Sequence, residues 1–417
     1  MTRQRYLTYQ YKAHIRRGDY SRLDEALQRC ATLYNAALEE RTQAYKMQRK
    51  TVTLYDQTKQ LKLIRQDMPE WSAYHYKLGA GVLVRVDRAM KAFFKRVGRG
   101  VKPGYPRYRS KHRYQTLEVS EVTTGMLKRS QDGRRAYVRI KGLPTLTLRT
   151  KRPLPEGKPK TLMISRRATG YVVSLAFAVE CPALPESDTQ VGIDMGVNER
   201  MTLSTGETLA RRVRDRRRES RLRRRVARAT KGSASRRKKV RSLSRETYRN
   251  TIRNRNACHR ASTGLVRRFG RIAVEDLQIR NMTRSAAGTV EEPGKNVAQK
   301  TGLNRSINEQ TWGILHNQLA YKAEYAGREL IKVNPAYTSS TCSGCGVILM
   351  EKLETYRLFV CQACGLVMDR DRNAARNIEI RAFGCSEARG KEPALSGIAP
   401  HAQLSELSPV HAERQPA

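Results

Sequence analysis

The sequence predicts a multidomain α+β protein, and three observations carry this prediction. The chain has 417 residues, enough for two or three domains that each bury a core. Apolar residues recur at helical spacing up to about residue 97 and at a spacing of two between residues 115 and 181. From about residue 190 onward, short strand-like and helical segments alternate, and four cysteines cluster near the end of that part.

The first part of the chain is mostly helical. The opening RYLTYQYKA alternates as a strand does, and residues 21–46 then place Leu23, Leu27 and Cys30 on one helical face. Pro69 marks a break, and helical spacing resumes over residues 76–97. Residues 98–114 form a predicted loop of Gly, Pro, Tyr and basic residues. We therefore predict a helical domain over residues 11–114.

A β-rich segment follows. Residues 136–143 and 145–150 alternate as strands do, and residues 160–180 predict a hairpin that turns at residues 168–170. The N-terminal strand can complete these strands into a small barrel. The predicted β-barrel domain comprises residues 1–10 and 115–185.

The second half predicts three short strands over residues 191–213 and a short apolar strand, RIAVEDL, over residues 271–277. An amphipathic helix over residues 307–330 and a strand over residues 331–338 follow. Residues 383–417 are rich in Ala, Pro, Ser and Glu without periodicity, which predicts a disordered tail.

The charge predicts a polyanionic partner. The chain carries 82 Lys and Arg against 38 acids, a formal net charge of +44. Nucleic acid is the leading candidate, because neutralising phosphates releases counterions, while a membrane-surface or ribosome-binding role remains open. No apolar run of membrane-spanning length and no apolar signal core occur in the sequence, and half of the eight cysteines are scattered. We therefore expect a cytoplasmic protein.

Two basic segments are candidate nucleic-acid surfaces. Between residues 211 and 241, 17 of 31 residues are Lys or Arg, which is typical either of a disordered tail or of two helices ordered against a nucleic-acid backbone. We favour the helices. The loop GYPRYR could stack on or pair with nucleotides, or could be an ordinary surface loop. The candidate residues are Tyr105, Arg107, Tyr108, Arg217, Arg224, Arg225, Arg237 and Lys238.

The cysteine cluster predicts a metal centre. CSGCG and CQACG place Cys342, Cys345, Cys361 and Cys364 in the pattern C-x2-C-x15-C-x2-C. Two such knuckles supply the four thiolates of tetrahedral zinc, whereas a redox CxxC normally stands alone. Because all four ligands are protein thiolates, the predicted Zn²⁺ is structural.

Acids at unusual positions predict a second metal site. Asp194 interrupts the apolar strand VGIDMGV, Glu275 ends RIAVEDL, and Asp369 and Asp371 precede the segment RNAARNI. An acid at a strand end is often solvated and an Asp before a helix often caps it, but Asp194 fits these explanations poorly. Converging carboxylates in a basic protein can hold two Mg²⁺ ions that promote phosphodiester hydrolysis.

The motifs GIDMGV, VEDL and DRDRNAARNI, with the four-cysteine ribbon before the last, resemble the RuvC motifs of the TnpB family. That family comprises transposon-encoded RNA-guided DNA endonucleases related to compact type V CRISPR effectors. LYNAALEER, KPGYPRYRSKHRYQTLEV and the stretch from NRSINEQTW to CSGCG also resemble this family. The resemblance covers about residues 5–380.

The resemblance implies a layout and a chemistry. Residues 1–10 and 115–185 would form the wedge barrel, with residues 11–114 inserted as a helical recognition lobe. A RuvC-like, RNase H-like nuclease domain would span residues 190–340 and 366–382, with a zinc ribbon inserted at residues 341–365. Asp194, Glu275 and Asp371 would be catalytic and bind two Mg²⁺ ions, with Asp369 the alternative for the third position. The partners would be a guide RNA and double-stranded target DNA; no protein partner is implied.

Other interpretations remain open at this point. A compact type V CRISPR effector would carry the same motifs. A guide-free, structure-selective nuclease on the same fold would not need the N-terminal domains. A non-catalytic zinc-ribbon binding protein would not need the acids, and a strand-joining transposase could use them for a different reaction.

Overall fold

The computed structural model describes residues 3–100, 103–119, 121–181, 183–210, 216–289, 291–349 and 357–384. The chain divides into two compact units, one of residues Arg3–Glu180 and one of the residues from Cys181 onward. The predicted tail lies outside the described residues, apart from its first two positions. The domain boundaries given above stay predictions.

The unit Arg3–Glu180 begins with a strand, continues with helices and ends with six strands. Its elements are β1 (Arg3–His14), a 3-10 turn (Arg17–Asp19), α1 (Tyr20–Gln48), α2 (Leu54–Asp67), α3 (Pro69–Ser72), α4 (Tyr76–Val97), β2 (Thr116–Val119), β3 (Leu127–Arg129), β4 (Arg135–Val138), β5 (Leu146–Arg149), β6 (Thr161–Arg167) and β7 (Gly170–Cys181).

The strands of this unit form one seven-stranded sheet in the order β2-β6-β7-β1-β5-β4-β3. The predicted pairing of the N-terminal strand with the later strands is therefore confirmed, since β1 lies between β7 and β5. The predicted hairpin is also present, with Arg167 opposite Gly170, whose φ of 119° suits glycine. β1 extends to His14, beyond residue 10 where the predicted barrel segment ends.

The helices of this unit share a core with the sheet. The predicted face of α1 is buried, and Leu23, Leu27 and Cys30 are each at most 1% exposed. α4 crosses β2 closely at Gly81, where a Cβ would lie 2.2 Å from the carbonyl oxygen of Glu118. Burying these apolar side chains is the main contribution to the stability of the unit.

The second unit alternates short strands with helices. Its elements are β8 (Gln190–Asp194), β9 (Glu199–Leu203), β10 (Thr208–Ala210), α5 (Arg216–Ala227), α6 (Ala234–Arg268), β11 (Arg271–Glu275), α7 (Ile279–Met282), α8 (Val297–Gln310), α9 (Trp312–Ala326), β12 (Glu329–Val333), β13 (Leu358–Val360), β14 (Val367–Asp369) and α10 (Arg370–Phe383).

Five of these strands form a mixed sheet in the order β10-β9-β8-β11-β12. β8, β9 and β10 are successive antiparallel neighbours, as the predicted meander requires, whereas β11 runs parallel to both β8 and β12. β13 and β14 form a separate antiparallel hairpin.

Side chains alternate between the two faces of this sheet. On β11, Ile272 and Val274 belong to a large core that includes residues of α6, α8 and α9. Ala273, between them, packs instead with Val333 and with Ile378 of α10. Helix α10 therefore covers the face of the sheet opposite to α6 and α9.

Two helical predictions need correction. The single helix predicted for residues 307–330 is two helices, α8 and α9, because Thr311 between them has a left-handed backbone with φ of 59°. The basic segment does form two helices, but α6 continues to Arg268 and buries Cys258 and Leu265 in the core. The second helix is therefore longer than the basic segment, while the ordering of that segment against nucleic acid stays a prediction. Within the described residues, no helix is both long and apolar enough to cross a membrane.

Candidate functional site

Asp194 and Glu275 lie at the carboxyl ends of neighbouring parallel strands. Ile193 of β8 is directly opposite Val274 of β11, so the next residue on each strand is an acid. Adjacent strands are about 4.8 Å apart. Because Ile193 and Val274 both point into the core with α6 and α9, alternation directs the two acids toward the face that α10 covers.

Helix α10 contacts that face directly. A Cβ at Gly192 would lie 2.0 Å from the carbonyl oxygen of Ala375 and 2.6 Å from the amide nitrogen of Glu379. No side chain other than hydrogen fits between β8 and α10 at this position. Asp371 lies one turn before Ala375, and the glycine contact therefore sets how closely Asp371 approaches Asp194.

The structure separates the roles of the two acids that precede RNAARNI. The carboxylate of Asp369 accepts hydrogen bonds from the amides of Asp371 and Arg372, at 2.9 and 3.0 Å, and so caps α10. Its side chain is exposed. Asp371 lies in the first helical turn, is half-buried and interacts with Asp194.

The electrostatics link Asp194 to the other two acids. Burial raises the pKa of Asp194 to about 8, and the charges of Glu275 and Asp371 add to this rise. Burial also raises the pKa of Asp371, and the charges of Asp369 and Glu199 act in the same direction. Nearby arginines, Arg370 among them, oppose the rise only in part, and a divalent cation would favour the charged form of these acids further.

Glu275 has a protein partner. It is 6% exposed, and the hydroxyl of Thr338 donates a hydrogen bond of 2.7 Å to its Oε1. Burial raises the pKa of Glu275, while this hydrogen bond opposes the rise. Thr338 therefore holds the Glu275 carboxylate in one orientation.

The cysteines, unlike the three acids, form a compact group of potential metal ligands. In the described part of the chain, the four cysteines are the group of at least three potential ligands whose atoms all lie within 4.8 Å of one another. Among the described residues, Asp194, Glu275 and Asp371 do not form such a group.

The cysteine centre has the geometry of a tetrahedral site. Cys342 and Cys364 have their sulfurs 3.6 Å apart, as do Cys345 and Cys361. A tetrahedron with zinc–sulfur bonds of about 2.3 Å has edges of about 3.8 Å.

Each knuckle closes with a glycine. Gly346 and Gly365 have φ of 78° and 72° and donate amide hydrogen bonds to the carbonyls of Cys342 and Cys361. The sulfur positions and the donor set both fit zinc.

The predicted nucleic-acid residues are exposed and lie on α5, on α6 and in the GYPRYR loop. Arg217, Arg224 and Arg225 are exposed on α5, and Arg237 and Lys238 are exposed at the start of α6. The guanidinium of Arg236 donates to the carbonyls of Val226 and Ala229 and so ties the two helices together.

The GYPRYR loop is exposed but anchored. Tyr105, Arg107 and Tyr108 are exposed. The hydroxyls of Tyr105 and Thr42 are hydrogen-bonded at 2.9 Å, and the side chain of Asn35 bonds both backbone groups of Arg109. The aromatic rings are therefore presented on a fixed backbone.

Sequence reasoning missed Gly192, Glu199 and Thr338. Gly192 stands inside an apolar strand, which is a recognised signal of close backbone approach. Glu199 follows β8 by a few residues, and only the pairing of β9 with β8 returns it toward Asp371. Nothing in the sequence around Thr338 indicates that it contacts Glu275.

Comparison with known proteins gives two family matches. The family described as "Probable transposase" (OrfB_IS605) matches residues 172–286. The family described as "Cas12f1-like, TNB domain" matches residues 312–378. The first match includes β8 and β11, and the second includes all four cysteines and Asp371.

Curated relatives extend the similarity over most of the chain. A "Putative RNA-guided DNA endonuclease" of Streptomyces pristinaespiralis is 32% identical over 83% of this chain and 82% of its own length. The "Putative RNA-guided DNA endonuclease InsQ" of Escherichia coli is 32% identical over 70% of this chain and 71% of its own.

Structural comparison and further relatives agree. A Cas12f1 chain from a "Cas12f1-sgRNA-target DNA complex" aligns with a TM-score of 0.54 at 16% identity, covering 86% of this chain and 82% of that one. This likeness shows the fold alone.

"TnpB-like protein L79" of Acanthamoeba polyphaga mimivirus is 29% identical over 35% of this chain and 26% of its own length. Because the chain is 32% identical to two curated relatives over more than two thirds of the length of each, it belongs to the TnpB family.

Proposed function

We propose that this chain is an RNA-guided DNA endonuclease that hydrolyses phosphodiester bonds at a RuvC-like site formed by Asp194, Glu275 and Asp371. The observation that carries the proposal is that Asp194 and Glu275 end neighbouring parallel strands of the mixed sheet, and that the charges of Glu275 and Asp371 raise the pKa of Asp194. The carboxyl ends of parallel strands are a common place for active sites.

The donor set fits magnesium. Mg²⁺ prefers carboxylate oxygens and needs only a few from the protein, because it keeps several waters. Two such ions, when bound, activate a water and stabilise the oxygen that leaves the phosphodiester. Asp194, Glu275 and Asp371 would hold them.

Contacts within the chain set the positions of the three acids. Asp194 and Glu275 are fixed by the register of β8 and β11, and Asp371 is fixed by the contact between Gly192 and α10. Asp369 caps α10 and so keeps the helix start in place. The Glu275 carboxylate accepts a hydrogen bond from Thr338. Preorganisation of this kind avoids rearrangement during the reaction.

The four cysteines would hold one structural Zn²⁺. All four positions of a tetrahedron would be filled by thiolates, so this ion would bind no water and take no part in the hydrolysis.

The partners would be a guide RNA and double-stranded target DNA. A protein that holds an RNA–DNA duplex by its backbone needs many cations and few base contacts, which suits the net charge of +44. The two curated relatives described above carry the name of this activity. The seven-stranded sheet and the mixed five-stranded sheet support the wedge barrel and the RNase H-like domain.

The test is cleavage by the purified protein in complex with the RNA that copurifies with it. Asp194→Ala should retain this RNA and lose DNA cleavage, and adding magnesium after chelation should restore cleavage in the wild type but not in Asp194→Ala. Asp188→Ala, at an exposed position before β8, is the matched control and should cleave normally.

The same preparation tests the alternatives. Cleavage that follows a changed guide sequence supports the proposal. Cleavage that ignores the guide and follows DNA shape would support a structure-selective nuclease instead. Unchanged activity in Asp194→Ala would overturn the assignment of the site.

A further inference from the structure

The loop between β12 and the cysteine centre links the two proposed metal sites. Thr338 lies in this loop, 4% exposed, and its hydroxyl is 2.7 Å from Oε1 of Glu275. The same hydroxyl is 3.0 Å from the carbonyl oxygen of Pro335. A hydroxyl has one proton, so the shorter contact with the Glu275 carboxylate is the stronger hydrogen bond.

Two buried asparagines of α10 hold the loop. Asn373 and Asn377 are one turn apart, and they are 0% and 4% exposed. The side-chain nitrogen Nδ2 of Asn377 donates to the backbone carbonyls of Thr338 and Thr341, at 2.8 and 2.6 Å. Asn373 also donates to the carbonyl of Thr341, at 2.7 Å. These bonds are shielded from water, so losing one leaves a buried polar group unsatisfied.

The network continues into the cysteine centre. Oδ1 of Asn373 accepts a hydrogen bond of 2.9 Å from the amide of Ser343, which lies between the first two cysteines. Thr341 immediately precedes Cys342. The backbone that places the thiolates is therefore bonded to the helix that carries Asp371, and the same helix fixes the residue that orients Glu275.

We propose that Thr338 is a positioning residue for the Glu275 carboxylate, and that Asn373 and Asn377 couple its position to the integrity of the cysteine centre. This inference rests on the proposed function. The zinc ribbon then has a role in the chemistry beyond its own fold, because disorder in its first knuckle loosens a carboxylate of the catalytic site.

The first experiment compares Thr338→Val with Thr338→Ser in the protein–RNA complex. Valine preserves the shape and removes the hydroxyl, whereas serine keeps the hydroxyl. Changes to residues that orient metal ligands typically cost about 10–100-fold in metal affinity or activity. Thr338→Val should therefore cleave about 10-fold more slowly and need more Mg²⁺ for half-maximal rate, while Thr338→Ser stays close to the wild type.

A second readout does not depend on cleavage. Binding of Mn²⁺ is monitored by the decrease in the electron paramagnetic resonance signal of the free ion. The same titration of Asp194→Ala is subtracted to remove the contribution of ions bound by the RNA. Thr338→Val should show weaker site-specific Mn²⁺ binding at unchanged RNA affinity. Mn²⁺ binding and magnesium dependence equal to the wild type would overturn the role of Thr338.

The coupling is tested with Asn377→Ala, and Asn308→Ala on the exposed face of α8 is the matched control. Release of zinc to a chromogenic chelator should be faster in Asn377→Ala, and its magnesium requirement should rise in the same preparation. Faster zinc release with unchanged metal dependence would overturn the coupling. If the wild type does not cleave DNA, the proposed function fails, and the Mn²⁺ titration still decides the role of Thr338.

Discussion

Asp194 is the residue whose surroundings differ most from those of an ordinary aspartate. It ends an apolar strand, and burial together with Glu275 and Asp371 raises its pKa to about 8. The native state therefore holds this proton more tightly than the unfolded chain does. The resulting stabilisation is fully present below pH 4 and is lost as the pH rises to about 8.

Asp194→Asn should consequently stabilise the protein in magnesium-free buffer at pH 8.5. The neutral amide removes an unfavourable charge, worth on the order of 1 kcal/mol or a few degrees in melting temperature. The gain should shrink at pH 5.5, where the native aspartate is protonated. Thermal melts at both pH values measure this, with Asp188→Asn as the control. A variant that melts lower than the wild type at pH 8.5 would contradict the account.

Asp369 and Asp371 are separated by two positions and should respond differently to replacement by alanine. Asp371→Ala removes a proposed metal ligand, and we expect cleavage to fall by about 10²-fold or more. Asp369→Ala removes a helix cap worth about 1 kcal/mol, so stability should fall and cleavage should be affected far less. Cleavage rates and melting temperatures of both variants decide the assignment. Equal loss of cleavage in both would reject the separation of roles.

At the scale of elements, α10 and β8 determine whether the acids meet. Their closest approach is at Gly192, where any side chain would overlap the backbone of α10. The sequence shows a glycine in a strand, but the identity of the element that approaches it depends on a contact between distant parts of the chain.

Gly192→Ala should destabilise the second unit by about 1–3 kcal/mol through overpacking and should reduce cleavage by displacing Asp371. Gly264→Ala is the matched control, since a Cβ there would meet no atom within 4 Å and alanine favours the helix. The control should be neutral or more stable by up to about 1 kcal/mol. Denaturant unfolding and cleavage of both variants test this, and a harmless Gly192→Ala would show that α10 can shift.

Local patterns predicted the type of most elements correctly, since the face of α1, the hairpin at residues 168–170 and the meander β8–β10 all follow from periodicity. The break was missed because the residue with the left-handed backbone is Thr311, a residue type that does not signal one. The knuckle glycines can be recognised in the sequence because each directly follows its cysteine pair and a short-range turn needs it. Thr338 was missed because its partner, Glu275, is 63 residues earlier in the chain.

At the scale of the whole molecule, the excess of positive charge is concentrated in part on the α5–α6 hairpin. The exposed cations Arg217, Arg224, Arg225, Arg237 and Lys238 lie on its two helices. Charge of this kind contributes to nucleic-acid affinity through counterion release, which makes binding depend on salt.

Replacing these five residues by glutamine should weaken RNA binding and flatten its dependence on salt. Each lost phosphate contact should reduce the slope of log K against log salt by about 0.7–0.9. A charge-conserving variant with lysine at the four arginines is the control and should keep the slope. Binding titrations at several salt concentrations measure both, and an unchanged slope in the glutamine variant would place the RNA elsewhere.

The long separation between β8 and α10 has a consequence for synthesis on the ribosome. Asp371 is added to the growing chain 177 residues after Asp194. A nascent chain that already exposes its basic helices to RNA therefore has no complete set of acids. If the proposed acids carry the cleavage, cutting can begin only after α10 has left the exit tunnel and docked, so guide capture can precede the ability to damage DNA.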